Sequence, residues 1–147
     1  MKRIIAFITI GFLAISISGA NAATKVTVLN QNSVSKKNPV VTLKVSGLPQ
    51  DHGIYVIQCM APDKAKTAPT SCNPSETGKL WISNVASDQK MGAKSGTGKI
   101  TMKVDKYFKG GDCLHTTCVL YVKSDHNAPS DRSEDQWIPF KFGGFKF

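Results

Sequence analysis

Hydrophobic and polar residues alternate with a period of two along most of the chain after residue 22. This period is typical of β-strands that bury one face, and it recurs in seven short segments separated by clusters of Gly, Pro, Asn, Asp and Ser. The predicted strands are Lys25–Leu29, Val41–Val45, Ile54–Met60, Lys79–Val85, Ile100–Val104, Cys118–Lys123 and Ile138–Phe142. Outside them, only Asp105–Lys109 has a pattern that permits a helical turn.

Seven β-segments without a helical period favour an all-β fold, an antiparallel sandwich or barrel. In a sandwich each strand turns its polar residues away from the core, and Lys44, Lys99 and Lys103 fall on the side opposite their apolar neighbours. Lysines on outer strands also oppose edge-to-edge pairing between molecules. We therefore expect a single all-β domain.

The first 22 residues have the composition of an export signal. Two basic residues precede an apolar run of 14, and the segment ends in Ala-x-Ala at residues 20–22, the arrangement of a signal cleaved before Ala23. A membrane anchor is the alternative, but the apolar run is shorter than the roughly 20 residues that span a bilayer. We expect residues 1–22 to be a secretory signal peptide, residues 23–147 to be the domain, and the protein to be secreted without a transmembrane segment.

The chain contains four cysteines, Cys59, Cys72, Cys113 and Cys118. Outside the cytoplasm thiols tend to oxidise, and four cysteines allow three pairings. The spacing favours the local one, Cys59 with Cys72 and Cys113 with Cys118, in which each bridge closes one loop between two strands. A zinc site is not expected, because neither Cys-x-x-Cys nor a Cys/His pair at ligand spacing occurs.

The sequence contains no recognised catalytic or metal-binding motif. It lacks Gly-x-Ser-x-Gly, His-Glu-x-x-His and a P-loop, and its histidines, His52, His115 and His126, all fall in predicted turns. The loop of residues 125–135 carries four carboxylates, but it lacks the spacing and central glycine of a calcium-binding EF-hand. We expect neither an enzyme nor a metalloprotein.

The chain is basic, with 19 Lys and Arg against 10 Asp and Glu and a net charge of +9. Residues 23–147 keep 17 of the basic residues and all 10 acidic ones, a net charge of +7. Six lysines lie within twenty residues: Lys90, Lys94, Lys99, Lys103, Lys106 and Lys109. On one face they would track phosphates or anionic wall polymers. A solvated lysine surface is the favoured alternative, because Arg132 is the only arginine after residue 22 and nucleic-acid readers use arginine and exposed aromatic residues.

The order of motifs around the cysteines is more specific. One strand ends in Gln58-Cys59, and Cys72-Asn-Pro follows. Asp112-Cys113-x4-Cys118 then enters a strand that ends in Ser124-Asp125. This order resembles the neocarzinostatin family of secreted actinobacterial proteins, over residues 40–142.

The resemblance implies a seven-stranded immunoglobulin-like antiparallel β-sandwich with two local disulfides. It also implies a carrier function. The best-known members hold an enediyne chromophore in a cleft beside the sandwich and shield it until it reaches DNA. The small molecule, not the protein, then cleaves the DNA. Such a cleft is apolar and aromatic. The implied ligand is a non-covalent antibiotic chromophore rather than a cofactor of catalysis.

The resemblance places six residues nearest the cleft: Met60, Ala61, Trp81, Tyr107, Phe108 and Ser124. Several family features are missing. Ala61 stands where the family has an aromatic residue, Thr70 where it has an apolar one, and Glu76-Thr77 where it has a further aromatic residue. The hairpin before Asp112 is shorter, and the loop between Cys59 and Cys72 is longer and carries Lys64 and Lys66. We therefore expect a shallower and more polar cleft.

Two hypotheses follow. The first is a secreted, monomeric, non-catalytic module that binds a small apolar ligand, with DNA as the downstream target of that ligand. The second is an extracellular adhesion or wall-associated immunoglobulin-like domain that binds polyanions, DNA among them, weakly through its lysine-rich face, and this binding would be weakened by salt.

Overall fold

Nine β-strands account for most of the regular structure of residues 23–143, which are the part of the chain that the computed structural model describes. The predicted signal peptide, residues 1–22, lies outside the described residues. The strands are β1 (Lys25–Val28), β2 (Val40–Ser46), β3 (Ile54–Met60), β4 (Lys79–Ile82), β5 (Ile100–Lys103), β6 (Tyr107–Phe108), β7 (Gly111–Asp112), β8 (Cys118–Ser124) and β9 (Gln136–Phe140). A 3₁₀ turn (Glu76–Gly78) precedes β4, and a short helix, α1 (Ala86–Lys90), follows it.

Seven of these strands form a two-layered sandwich. One sheet has the order β1-β2-β5 and the other β4-β3-β8-β9, and every pairing within them is antiparallel. The predicted immunoglobulin-like all-β fold is therefore confirmed, and its seven strands correspond to the seven predicted segments. The total is nine rather than seven because β6 and β7 form a separate hairpin.

The expected helical turn at Asp105–Lys109 is wrong. Tyr107 pairs with Asp112 and Phe108 with Gly111, and Gly110 turns the chain between them with a φ of 86°, a conformation that glycine adopts without a steric penalty. The helix lies instead in the predicted turn cluster after β4, where the Asp88 side chain accepts a hydrogen bond from the Ser83 hydroxyl.

The core lies between the two sheets and is built from alternate residues of their strands. Leu43 of β2, Val56 of β3 and Leu120 of β8 are all fully buried members of one hydrophobic cluster. Gln58 occupies an inward position on β3 and is also fully buried. The intervening residues of each strand point outward, so the four-stranded sheet has a distinct outer face.

The register of the four-stranded sheet decides which side chains meet on that outer face. Tyr55 lies opposite Trp81 on one side and Lys123 on the other. The next outward row runs from Lys79 through Ile57 and Tyr121 to Trp137. Aromatic side chains from four separate strands are thus brought onto one surface.

Two disulfides join the predicted partners. Cys59 and Cys72 have Cα atoms 3.9 Å apart, and Cys113 and Cys118 have Cα atoms 5.3 Å apart. The local pairing expected from the spacing is confirmed. The first bridge lies on the outer face of the four-stranded sheet, and the second closes the turn that leads into β8.

Within residues 23–143, no helix combines the length and the hydrophobicity needed to cross a bilayer.

Candidate functional site

One half of the outer face of the four-stranded sheet is covered by the chain itself. The covering segment is the loop of residues 60–71 between the two cysteines of the first bridge, which we call the disulfide loop. The indole nitrogen of Trp137 donates a hydrogen bond to the carbonyl oxygen of Thr67 in this loop, at 2.8 Å. Val119 and Tyr121 on the same half of the face are 4% and 5% exposed, and the Tyr121 hydroxyl also meets Arg132 and Asp135. The part of the face nearest the bridge is therefore partly covered, with Trp137 half-buried.

The other half of the face carries an uncovered cluster of Tyr55, Trp81 and His126, which we call the aromatic patch. The ring centroids of Tyr55 and Trp81 are 6.2 Å apart, and those of Trp81 and His126 are 5.0 Å apart. Tyr55 and Trp81 are half-buried and His126 is exposed. The ammonium of Lys79 lies 4.9 Å from the centre of the Tyr55 ring, a distance at which a cation is attracted to a ring face.

A buried carboxylate fixes the patch in place. Oδ2 of Asp125 accepts one hydrogen bond from the indole nitrogen of Trp81 and another from the backbone nitrogen of Gly53, both at 2.9 Å. Asp125 is 1% exposed. A side chain at Gly53 would place a Cβ only 2.5 Å from the carbonyl oxygen of Ile82, so only glycine allows this approach. The orientation of Trp81 is thus determined before any ligand arrives.

The phenol of Tyr55 completes the patch. Its Oη lies 2.7 Å from Nδ1 of His126. Burial raises the pKa of Tyr55 above its usual value, and the negative charges of Asp125 and Asp88 raise it further. The phenol therefore keeps its proton at neutral pH, and its O–H donates a hydrogen bond to Nδ1 when that nitrogen carries no proton. The result is an ordered aromatic surface with a cation on one side.

The six residues expected around a cleft are divided between two ends of the sheet. Trp81 belongs to the aromatic patch. Ser124 lies opposite Ile54 at the same end, but it is fully buried and its hydroxyl has no hydrogen-bond partner among the described residues. Met60 lies at the far end of β3 and packs against the core cluster, and a strand of seven residues spans about 20 Å. Met60 and Ser124 therefore do not border a common pocket.

The remaining three lie near Met60, around the bridge and the hairpin. Ala61, near the start of the disulfide loop, packs against the cluster that includes Cys59 and Trp137. Phe108 packs against the core cluster and over Gly111, whereas Tyr107 is 55% exposed. Ser71 Oγ donates a hydrogen bond to the carbonyl oxygen of Gly110, which ties the hairpin to the disulfide loop.

Sequence reasoning missed two members of the aromatic patch, Tyr55 and His126. Tyr55 follows the outward phase of β3 and so resembles any solvent-facing strand residue. His126 lies in a loop 71 residues further along the chain. The one available signal was the Ser124-Asp125 motif, because Asp125 is the residue that holds Trp81.

The outer face of the three-stranded sheet is different in character. Lys25, Lys44 and Lys103 project from it, and all three are exposed. Residues 23–50 and 89–104 contain no Asp or Glu, and no lysine of the described residues takes part in an ion pair. This face therefore presents lysines that form no ion pair, although the carboxylate of Glu134 accepts a hydrogen bond from the backbone nitrogen of Thr24 beside Lys25.

His115 lies in the turn between the second pair of cysteines, where it pairs with Asp112. In the described part of the chain, no group of three or more His, Cys, Asp or Glu is placed to hold a metal ion. Nδ1 of His115 lies 2.8 Å from Oδ2 of Asp112, and this hydrogen bond is the main reason that the pKa of Asp112 is lowered. Asp112 also accepts from the backbone nitrogen of Leu114. The pair thus stabilises the turn between the second pair of cysteines.

Comparisons with known proteins agree with this architecture. The solved structure of macromomycin superposes with a TM-score of 0.51 and 20% sequence identity, over 82% of this chain and 99% of that chain, which shows a shared fold. No curated protein sequence matches the chain significantly. The family model described as "Neocarzinostatin family" matches residues 23–135. That range includes both disulfides, the disulfide loop and the whole aromatic patch, and the chain therefore belongs to the neocarzinostatin family.

Proposed function

We propose that the protein is a secreted, non-catalytic carrier that binds a small planar, apolar molecule on the aromatic patch. Membership of the neocarzinostatin family supports a carrier function. The observation that carries the proposal is the half-buried pair Tyr55 and Trp81 on the outer face of the sheet. The hydrogen bond from Trp81 to Asp125 fixes the orientation of the indole ring. An ordered aromatic surface loses little entropy when a flat ligand stacks on it.

The position of the disulfide loop favours the patch over the region near the bridge. Tyr121 is aromatic too but is buried, and Trp137 is half-buried and hydrogen-bonded to the Thr67 carbonyl oxygen of the loop. The loop thus occupies part of the end nearest the bridge, whereas Tyr55 and Trp81 lie at the end that it does not reach. A ligand would find its apolar contacts at the end of the sheet away from the bridge.

The charges around the patch narrow the ligand class. Lys79 and Lys123 flank Tyr55 on the neighbouring strands, so an aromatic molecule with an anionic substituent fits best. The resemblance to the family makes a chromophore of the enediyne type, directed at DNA, the first candidate. Because the patch contacts one face of a ligand only, it would shield such a chromophore from water less than an enclosed cleft does.

The test uses the two tryptophans as separate reporters. In Trp137→Phe the remaining indole is Trp81, and in Trp81→Phe it is Trp137. Pyrene-1-carboxylate is titrated into each, and tryptophan emission is recorded. We expect saturable quenching in Trp137→Phe, little in Trp81→Phe, and at least tenfold weaker binding after Tyr55→Ala.

Tyr107→Ala is the matched control, because Tyr107 is an exposed aromatic residue of the hairpin outside the patch. It should bind the probe as well as the unmodified protein does. If quenching does not saturate, or if Tyr107→Ala and Tyr55→Ala weaken probe binding equally, the aromatic patch is not the binding site.

A second candidate function is weak binding of polyanions through the three-stranded sheet. It is favoured by the exposed lysines Lys25, Lys44 and Lys103 and by the absence of acidic residues in the segments that carry them. Retention on a column of immobilised double-stranded DNA should then fall steeply with salt, and should fall further in Lys25→Gln/Lys103→Gln. Retention that persists at high salt would exclude this function.

A further inference from the structure

A cavity of about 670 Å³ opens at one corner of the sandwich, away from the aromatic patch. It lies between the end of β2 and the loop of residues 95–99 that leads into β5. Its walls include Leu29, Lys44, Val45, Leu48, Gly96 and Lys99. This volume is in the range of sites that bind small molecules.

The cavity exists because β2 continues past the start of β5. The pairing of β5 with β2 begins where Ile100 lies opposite Leu43, while β2 goes on to Ser46 and pairs with β1 only. Before Ile100 the chain crosses from the other sheet, where the backbone nitrogen of Lys94 donates to the carbonyl oxygen of Trp81. The edge of β2 beyond Leu43 therefore has no strand partner on this side.

The floor of the cavity is apolar and continuous with the core. Val45 is a member of the core cluster and Leu48 packs against that cluster. A Cβ on Gly96 would come within 2.1 Å of the Leu48 side chain, so the crossing loop lies directly against it. Leu29 is 51% exposed, one of the exposed large hydrophobic residues of the described chain. A hydrocarbon group placed here would contact Val45 and Leu48 and cover part of Leu29.

The rim of the cavity is cationic. Lys44 and Lys99 are exposed at its edge, and no acidic residue lines it. Gly98 has a φ of 74°, and nothing lies within 4 Å of the position that its Cβ would take, so the backbone there is accessible. An apolar floor below two lysines matches a molecule that has a hydrocarbon part and one negative charge.

We propose that this corner cavity binds a small amphiphile with a single anionic headgroup, such as a medium-chain carboxylate. The hydrocarbon part lies on Val45, Leu48 and Leu29, and the headgroup lies between Lys44 and Lys99. A highly charged polymer would leave the apolar floor unused, and a neutral molecule would leave the two ammonium groups without a partner. The site is on a different sheet from the aromatic patch and does not depend on it.

The test titrates octanoate into ¹⁵N-labelled protein and follows the backbone amide resonances by NMR. Gly47, Gly96 and Gly98 all line the cavity and serve as local reporters. We expect saturable shifts at these glycines with octanoate, at least fivefold weaker binding with the uncharged analogue 1-octanol, and no saturable shift with acetate, which has the headgroup alone.

Substitutions separate the two parts of the site. Lys44→Gln/Lys99→Gln should weaken octanoate binding about tenfold and leave 1-octanol unaffected, whereas Leu29→Ser should weaken both. Leu29 is exposed, so its replacement does not endanger the fold. The matched control is Lys25→Gln/Lys103→Gln, which removes two lysines from the same sheet but outside the cavity and should leave octanoate binding unchanged.

Three results would overturn the proposal. Equal effects of acetate and octanoate would show only surface attraction of anions. Equal weakening by the two lysine pairs would show a diffuse charge effect. Shifts confined to Tyr55 and Trp81 would show that octanoate binds the aromatic patch, which would leave the carrier proposal intact and exclude the cavity.

Discussion

The side-chain amide of Asn73 donates a hydrogen bond to the side-chain oxygen of Gln58, 2.9 Å away inside the protein. The same oxygen of Gln58 accepts from the backbone nitrogen of Asp105 at 2.8 Å, and the amide nitrogen of Gln58 donates to the carbonyl oxygen of Asp105. The Gln-Cys and Cys-Asn-Pro motifs, which suggested the family from sequence, are therefore two parts of one buried network. This network joins β3 to the segment that begins the hairpin.

Replacement of Gln58 by Leu should destabilise the protein strongly. The substitution leaves the buried nitrogen of Asp105 and the amide of Asn73 without a common acceptor, and each unpaired group costs about 1–3 kcal/mol. We expect the free energy of unfolding in urea to fall by about 2–4 kcal/mol. Gln50→Leu, at an exposed position, is the control and should change it little. Equal stability of the two variants would mean that the network is energetically neutral.

Loss of the Asp125 carboxylate should disturb the aromatic patch from beneath. Asp125→Ala leaves the indole nitrogen of Trp81 and the backbone nitrogen of Gly53 unpaired, and we expect the free energy of unfolding to drop by about 2–4 kcal/mol. In a Trp137→Phe background the emission of Trp81 should shift to longer wavelength as the ring becomes mobile and hydrated. An unchanged spectrum would show that packing alone orients Trp81.

The two disulfides should differ in their contribution to stability. The Cys59–Cys72 bridge has a sequence separation of 13 and the Cys113–Cys118 bridge one of 5. From loop closure we expect paired replacements by Ala to cost about 3 and about 2 kcal/mol, respectively. Only the first pair should also make Trp137 more accessible to acrylamide quenching, because only it releases the disulfide loop. Quenching that increases equally in both variants would contradict the covering role of the loop.

Stability should decline at alkaline pH because of two tyrosines. Burial raises the pKa of Tyr55 and of Tyr121 above the usual value of 10.0, and nearby aspartates raise both further. The folded state thus holds these protons more tightly than the unfolded chain does. This contribution is complete below pH 10 and is lost as the pH rises through the raised values. Between pH 8 and pH 11, the free energy of unfolding in urea should decline less for Tyr55→Phe/Tyr121→Phe than for the unmodified protein. Equal declines in the two proteins would show that these tyrosines do not cause the loss of stability.

The fold was predictable because its main signal is local. Strands such as β3 and β8 alternate between the core and the outer face, and this alternation is visible in the sequence without knowledge of their partners. The two strands of the hairpin before Asp112 were not predicted, because strands of two residues, such as Tyr107–Phe108, have no period to detect. Helix α1 was missed because five residues within a turn cluster carry too few apolar positions to show a helical repeat.

The candidate site was predicted less completely, for a physical reason. Trp81 was recognised through its position near Cys72-Asn-Pro. Its partner Tyr55 is set by the register between β3 and β4, and its partner His126 lies in a loop that is distant in sequence. Tyr55 occupies an outward-facing position of its strand. The sequence around such a position looks the same whether the side chain contacts water or another aromatic ring. The cover over Trp137 depends on a contact with a single carbonyl group, that of Thr67, which no periodicity encodes.

The disulfide loop is attached to the sheet at both ends, and its Thr67 carbonyl oxygen accepts a hydrogen bond from Trp137. A segment tethered in this way competes with incoming molecules at an effective concentration on the order of millimolar, and dilution of the protein does not weaken it. A molecule present at trace levels cannot displace it by abundance. Any molecule that bound at this end of the sheet would therefore have to displace an intramolecular competitor, whereas a molecule on the aromatic patch at the opposite end would not.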